Sequence, residues 1–225
     1  MLADAAAVAR RGAARIAEAA REAAAARGRF ALAVSGGHTP WEMLAALAAE
    51  DLRWDRLELF QVDERVALAG DPDRNWTHLG ESLLGRVRLA TAQLHPMPVE
   101  DADLEAAAAR YAATLEGVTG SPAVLDLVHL GLGPDGHTAS LVPGDPALDV
   151  VDADVALAGP YQGRRRMTLT FPALDRARCV LWLVTGEDKR EMLARLMRRD
   201  RSIPAGRVRQ DGALVLADRA AAGAV

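Results

Sequence analysis

Short strand-like runs, nearly continuous in apolar residues, constrain this chain more than any other feature. They fall at residues 30–34, 57–62, 125–130, 167–170, 179–184 and 213–217. A strand with one wet face alternates apolar and polar side chains, whereas a strand covered on both faces has no need to. Helical stretches separate the runs. An Ala/Arg/Glu segment of about two dozen residues precedes Arg27 and Gly28, residues 40–49 follow the first run, Leu104, Ala108, Tyr111 and Leu115 recur at helical spacing, and residues 188–198 separate the last two runs. The pattern predicts an α/β fold, a Rossmann-like, mostly parallel sheet with helices on both faces. No repeat, low-complexity linker or shift in composition marks a boundary, so residues 1–225 read as a single domain.

Composition then narrows the partners. A net charge of −4 leaves no basic stripe to neutralise nucleic-acid phosphates, so nucleic acid is not expected as a partner and a bound anion should be small. Arg10, Arg11, Arg15 and Arg21 interrupt the alanine-rich start, which fits neither a signal-peptide core nor a membrane span. Cys179 is the only cysteine; it excludes an internal disulfide and reads as a buried thiol in a reducing compartment. A soluble cytoplasmic protein is expected, with no membrane partner. Oligomeric state is not written in the chain.

In a parallel sheet, chemistry gathers at the carboxyl ends of strands, and four such ends stand out. After residues 30–34 comes Ser35-Gly36-Gly37-His38-Thr39-Pro40, read as a glycine turn into a helix capped by Thr39, with Pro40 first and Glu42 third. Its free amides and helix dipole would suit a phosphate or carboxylate, although a tight turn that binds nothing explains it equally well. The triplet Asp63-Glu64-Arg65, taken alone, reads as solvated loop; Arg65 could still fork onto a phosphate, and Asp63 could take a proton or orient a hydroxyl.

The third end is GLGPDGHTASLVPG at residues 131–144. Gly131, Gly133 and Gly136 satisfy the dinucleotide fingerprint, yet that fingerprint must open a long helix, and Pro143 and Gly144 break the chain within two turns. His137 is the more informative residue: an imidazole ordinarily titrates near pH 6.5 and can take a proton from water, with Asp135 or Asp63 to orient it. The plain alternative is a histidine that caps a following helix. His38, His78, His95 and His129 read as structural or surface residues, and no pair of histidines has zinc spacing. The fourth end, Thr185-Gly186-Glu187-Asp188-Lys189, sets Lys189 near a helix N-terminus, where a cation implies a nearby anion. Arg166, in the triplet Arg164-Arg165-Arg166, is a weaker contributor to the same field.

In this order SGGHTP, VDER, GLGPDGHTASLVPG, RRRMTLTFPAL and TGEDK resemble the 6-phosphogluconolactonase family over essentially the whole chain. The sister family, the glucosamine-6-phosphate deaminases, has Tyr after Asp-Glu and a Glu five residues beyond the histidine; here those positions hold Arg65 and Val142. Two positions depart from the lactonase pattern: His38 stands for a serine, and Arg74-Asn75 for Ser-Asn. The resemblance implies hydrolysis of 6-phospho-D-glucono-1,5-lactone in the pentose phosphate pathway, without cofactor or metal. It implies His137 as general base, with the phosphate gripped by Ser35, Gly36, Gly37, Arg65, Lys189 and, more weakly, Arg166. Two competing classes are a sugar-phosphate-binding regulator without catalysis and a nucleotide-dependent oxidoreductase.

Overall fold

The computed structural model describes residues 1–223. Six strands, β1 (Phe30–Val34), β2 (Leu57–Gln61), β4 (Leu94–His95), β5 (Leu127–Leu130), β8 (Val180–Val184) and β9 (Leu214–Ala217), form an all-parallel sheet in the order β4-β2-β1-β5-β8-β9. Every side chain of β1, β5 and β8 is buried, which is why their sequences do not alternate. After β1 the chain builds outward through β2 to β4, then returns to start β5 on the other flank of β1. The sheet therefore reverses its direction of growth between β1 and β5, and loops leaving these two strands part to leave a crevice.

Helices α1 (Ala5–Arg27) and α2 (His38–Leu47) cover one face of the sheet. Asp4 accepts the Ala7 N–H at the start of α1, and Gly28 ends it in the left-handed region, donating to the Ala24 carbonyl. Val8, Ala9, Ala13, Ile16, Ala17 and Ala20 form its buried stripe. The other face carries α4 (Leu104–Thr119), α5 (Phe171–Arg176) and α6 (Arg190–Met197), packed around the wholly buried Trp182. Each large side chain so buried contributes about 1.5–3 kcal/mol. A short helix α3 (Asn75–Leu79) sits beside α2. No helix among the described residues is long and apolar enough to cross a membrane.

Four expectations change. Residues 167–170 do not join the parallel sheet: β7 (Arg164–Leu169) lies between β3 (Asp63–Arg65) and β6 (Val155–Tyr161) in a separate antiparallel sheet. The four-residue segment Met-Thr-Leu-Thr is too short to announce which partner it will pair with, and Gly159-Pro160 inside β6 resembles a turn but is absorbed as an irregularity in the ladder. The triplet 63–65 is therefore a strand, and Asp63 and Glu64 are buried. Helix α2 starts two residues early with Gly37 as its N-cap at φ 125°, so there is no Thr39 capping box; the Thr39 hydroxyl bonds Thr185 Oγ1 instead, at 2.7 Å. Pro40 still lies within the first turn, where its missing N–H costs no intrahelical bond. Cys179 is half-buried rather than buried, and partial burial raises its thiol above the usual range.

Candidate active site

β1 and β2 run in register from Phe30↔Leu57 to Val34↔Gln61, so Ser35 and Val62 emerge side by side. Tyr111 clamps this exit: its hydroxyl donates to the Gln61 carbonyl at 3.0 Å and accepts the Gln61 N–H at 2.8 Å. Burial and the charge of Glu64 push the phenol above its ordinary range, so it remains a donor. Held at Gln61, the chain turns into β3, where alternate side chains take opposite roles. Glu64 faces inward and accepts from the backbone N–H of Arg65, Asn75 and Trp76 and from Gln61 Nε2, all at 2.8–2.9 Å. Arg74 Nε lies 3.1 Å from Glu64 Oε2, close enough for strong attraction although its N–H is not aimed along the line. A further Arg74 nitrogen donates to the Ala67 carbonyl and to Glu100. The departure at position 74 is thus spent inside the protein, as the counter-charge of Glu64. The departure at position 38 stands at the cleft rim, with the His38 imidazole largely exposed.

Asp63 and Arg65 face the crevice, a cleft of about 320 Å³. Ser35, Gly36, Gly37, Asp63, Arg65, His137, Arg166 and Lys189 all line it; Asp135 stands just behind His137. The candidate site residues are thus brought to one place, from four separate strand ends and, for Arg166, from within β7. Arg65 and Arg166 are direct cross-strand partners in β3 and β7. Like charges directly opposite one another destabilise an antiparallel pair unless something negative joins them. The Nε of each is buried without a hydrogen-bond partner, and burial first, then the charge of Arg65, hold Arg166 below the usual arginine range. Lys189, one-fifth exposed, adds a third cation and is partly countered by Asp188 at 3.0 Å.

The loop after β5 carries His137. No helix follows His137; residues 131–145 run as turns joined by a Thr138↔Leu141 bridge, so His137 caps nothing and the dinucleotide fingerprint lacks its helix. His137 Nδ1 lies 2.5 Å from Asp135 Oδ1, which also accepts the His137 N–H at 3.1 Å. A carboxylate only accepts, so Nδ1 carries a proton and, in the neutral ring, Nε2 holds the lone pair. Partial burial works against the Asp135 charge, but the His137 backbone N–H and imidazole outweigh it and hold the carboxyl below its usual range. Asp63 does not touch the imidazole: Oδ2 accepts from Ser140 Oγ at 2.7 Å, while Asn75 Nδ2 donates to its carbonyl and, at 3.4 Å, to Oδ1.

Two glycines are required by space. A Cβ on Gly133 would lie 2.0 Å from His137 Nδ1, and one on Gly36 would lie 1.9 Å from Asn75 Oδ1. The first clears room for the imidazole to fold back over its own loop; the second lets the turn after β1 lie against Asn75. Sequence reasoning missed Asn75, Ser140 and Tyr161, whose hydroxyl reaches Asp135 Oδ2 at 3.3 Å. Asn75 and Ser140 sat in quoted motifs, but nothing in their neighbourhood announces their partners.

A sequence profile described as "Glucosamine-6-phosphate isomerases/6-phosphogluconolactonase" matches residues 3–216. A 6-phosphogluconolactonase of Synechocystis is 39% identical over 179 residues, covering 78% of this chain and 74% of that protein. The crystal structure of 6-phosphogluconolactonase from Thermotoga maritima superposes with a TM-score of 0.83 at 27% identity, over 92% of each chain. A monomeric glucosamine-6-phosphate deaminase superposes equally well, with a TM-score of 0.84 over 100% of this chain and 99% of that one, but at 19% identity it shares the fold alone.

Proposed function

This chain belongs to the glucosamine-6-phosphate isomerase/6-phosphogluconolactonase family, and from that premise we infer that it is a lactonase, hydrolysing 6-phospho-D-glucono-1,5-lactone to 6-phospho-D-gluconate in the pentose phosphate pathway, in the cytoplasm. The observation that carries this reading is a single cleft in which a carboxylate-held imidazole faces three cations. Within one domain, His137 Nε2 takes a proton from water as the water oxygen adds to the lactone carbonyl. The imidazolium, stabilised by Asp135, returns that proton to the ring oxygen as the tetrahedral intermediate collapses and the C–O bond breaks. One imidazole serves as base and then acid, and these residues supply every proton the ester hydrolysis needs.

The phosphate is taken by Arg65, Arg166 and Lys189 with the Ser35-Gly36-Gly37 turn, relieving the opposed guanidiniums. Anchoring the far end of the sugar positions the carbonyl against the water, a contribution that can reach several kcal/mol of barrier. Asp63 keeps Ser140 and Asn75 in place and presents an acceptor for a sugar hydroxyl.

Val142 stands where the sister deaminases carry a glutamate, so their ring-opening chemistry lacks its acid here. The test is lactone hydrolysis corrected for spontaneous opening, run beside a deaminase assay on glucosamine 6-phosphate. Accelerated lactone opening without ammonia release is expected. Ammonia release, or binding of 6-phosphogluconate with no acceleration, overturns the reading.

A further inference from the structure

The β6–β7 hairpin brings an aromatic contact to the Asp135–His137 pair. Tyr161, the last residue of β6, sends its hydroxyl to Asp135 Oδ2 at 3.3 Å, while the other carboxylate oxygen is committed to His137. Its ring meets the imidazole edge to face, with centroids 5.2 Å apart and planes at 65°, within the range where such pairs attract. The Arg166 guanidinium lies 5.1 Å from the same ring centroid, a cation–π contact, and also donates to the Tyr161 carbonyl. Gln162 and Gly163, at φ 53° and 79°, make the tight two-residue turn that sets both residues on one stiff ribbon.

We propose that Tyr161 is a positioning residue for His137, pinning the free oxygen of Asp135 and one edge of the imidazole, and that its ring ties the dyad to Arg166 on the anion-gripping side. The activity arm of this proposal rests on the lactonase reading. A carboxylate held through one oxygen can swivel about its last bond, and the side chain of Asp135 is about one-third exposed. A second tether removes that freedom and keeps Nε2 aimed into the cleft. Tyr161 is fit for the task because burial first, and the nearby Asp135 charge second, raise its phenol above the ordinary value, so the donor persists through neutral pH. The charged groups around the imidazole are Asp135 on its own loop, Asp63 and Arg65 from β3, Arg166 from β7, and Lys189 from the 3-10 turn Glu187–Lys189. Among them Asp135 is the one that touches the ring.

The hydroxyl draws negative charge from Asp135 and so weakens the carboxylate's hold on an imidazolium. In Tyr161→Phe the midpoint of the acid limb of kcat/KM should therefore rise, by about half a pH unit. kcat should fall about threefold to tenfold, as for one lost hydrogen bond, with KM within twofold. Tyr161→Leu removes the platform under Arg166 as well, and KM should then rise several-fold.

Proton NMR titration of the His137 ring in the ligand-free variants gives the same midpoint without turnover, and a thermal melt checks that each variant is folded. A Phe variant with an unmoved midpoint and wild-type kcat overturns the proposal. So does a Phe variant indistinguishable from the Leu variant, which would make Tyr161 mere packing. If the wild-type protein opened no lactone, the lactonase reading would fail, and the NMR midpoint would still decide for or against Tyr161.

Discussion

His129, within β5, and His137, in the loop that leaves it, lie eight residues apart and have opposite fates. His129 lies within β5, wholly buried; Nδ1 accepts the Ser35 N–H at 3.3 Å and the buried Nε2 has no partner. Burial drives its pKa down to about 3, so at working pH it is a neutral strut beneath the turn after β1, whose serine hydroxyl also donates to its carbonyl. His137 sits past the strand end, one-fifth exposed, with a carboxylate on one nitrogen and open space beside the other. Residue type is identical. What separates the two is whether a partner stabilises the charged ring and whether solvent reaches it.

That contrast can be broken most severely at His137. His137→Asn should lower kcat about a thousandfold while 6-phosphogluconate still binds, as steady-state rates and calorimetry would report; full activity would end the base assignment. Gly133→Ala leaves the imidazole in the protein but denies it its seat, since the new Cβ would lie 2.0 Å from Nδ1. A fall of about a hundredfold in kcat with an unchanged fold by circular dichroism is expected. Lys189→Ala should instead act on KM, raising it about tenfold, because it removes one charged contact and no proton carrier.

The smallest effect on rate is expected at His129, where the readout is stability. Its folded pKa lies below the ordinary histidine value, so the unfolded chain binds the extra proton between about pH 6.5 and 3. Stability should fall as pH drops through that window, by up to about 1.4 kcal/mol per unit from this group. His129→Asn, which keeps an acceptor for Ser35, should flatten that slope in urea unfolding measured across the window. An unchanged slope would mean that His129 is not the group responsible.

Much of this was legible in the chain because it is local. Strands β1, β2, β5, β8 and β9 announced themselves by nearly continuous apolar runs, and Gly131 to His137 by a density of glycine, acid and imidazole that packing alone does not call for. What escaped was long-range. Glu64 reads as a solvated charge until Arg74 and four donors close around it, and three of those donors are backbone amides that no composition reveals. The antiparallel sheet depends on β3 meeting a strand a hundred residues away. Tyr161 became a neighbour of Asp135 only because that hairpin folds over the cleft. Thr39 misled because glycine at 37, free to take φ 125°, claims the cap first.

The rung formed by Arg65 and Arg166 has a bearing on how the protein lives in the cell. The two guanidiniums oppose one another across the β3–β7 ladder of the small sheet, with Asp63 and Asp73 nearby as counter-charges. On the proposed reading, a phosphorylated sugar held there acts as mortar across that rung. Heat tolerance should then track metabolite supply, following the ratio of free ligand to its dissociation constant, and an unphosphorylated gluconate should confer little of it.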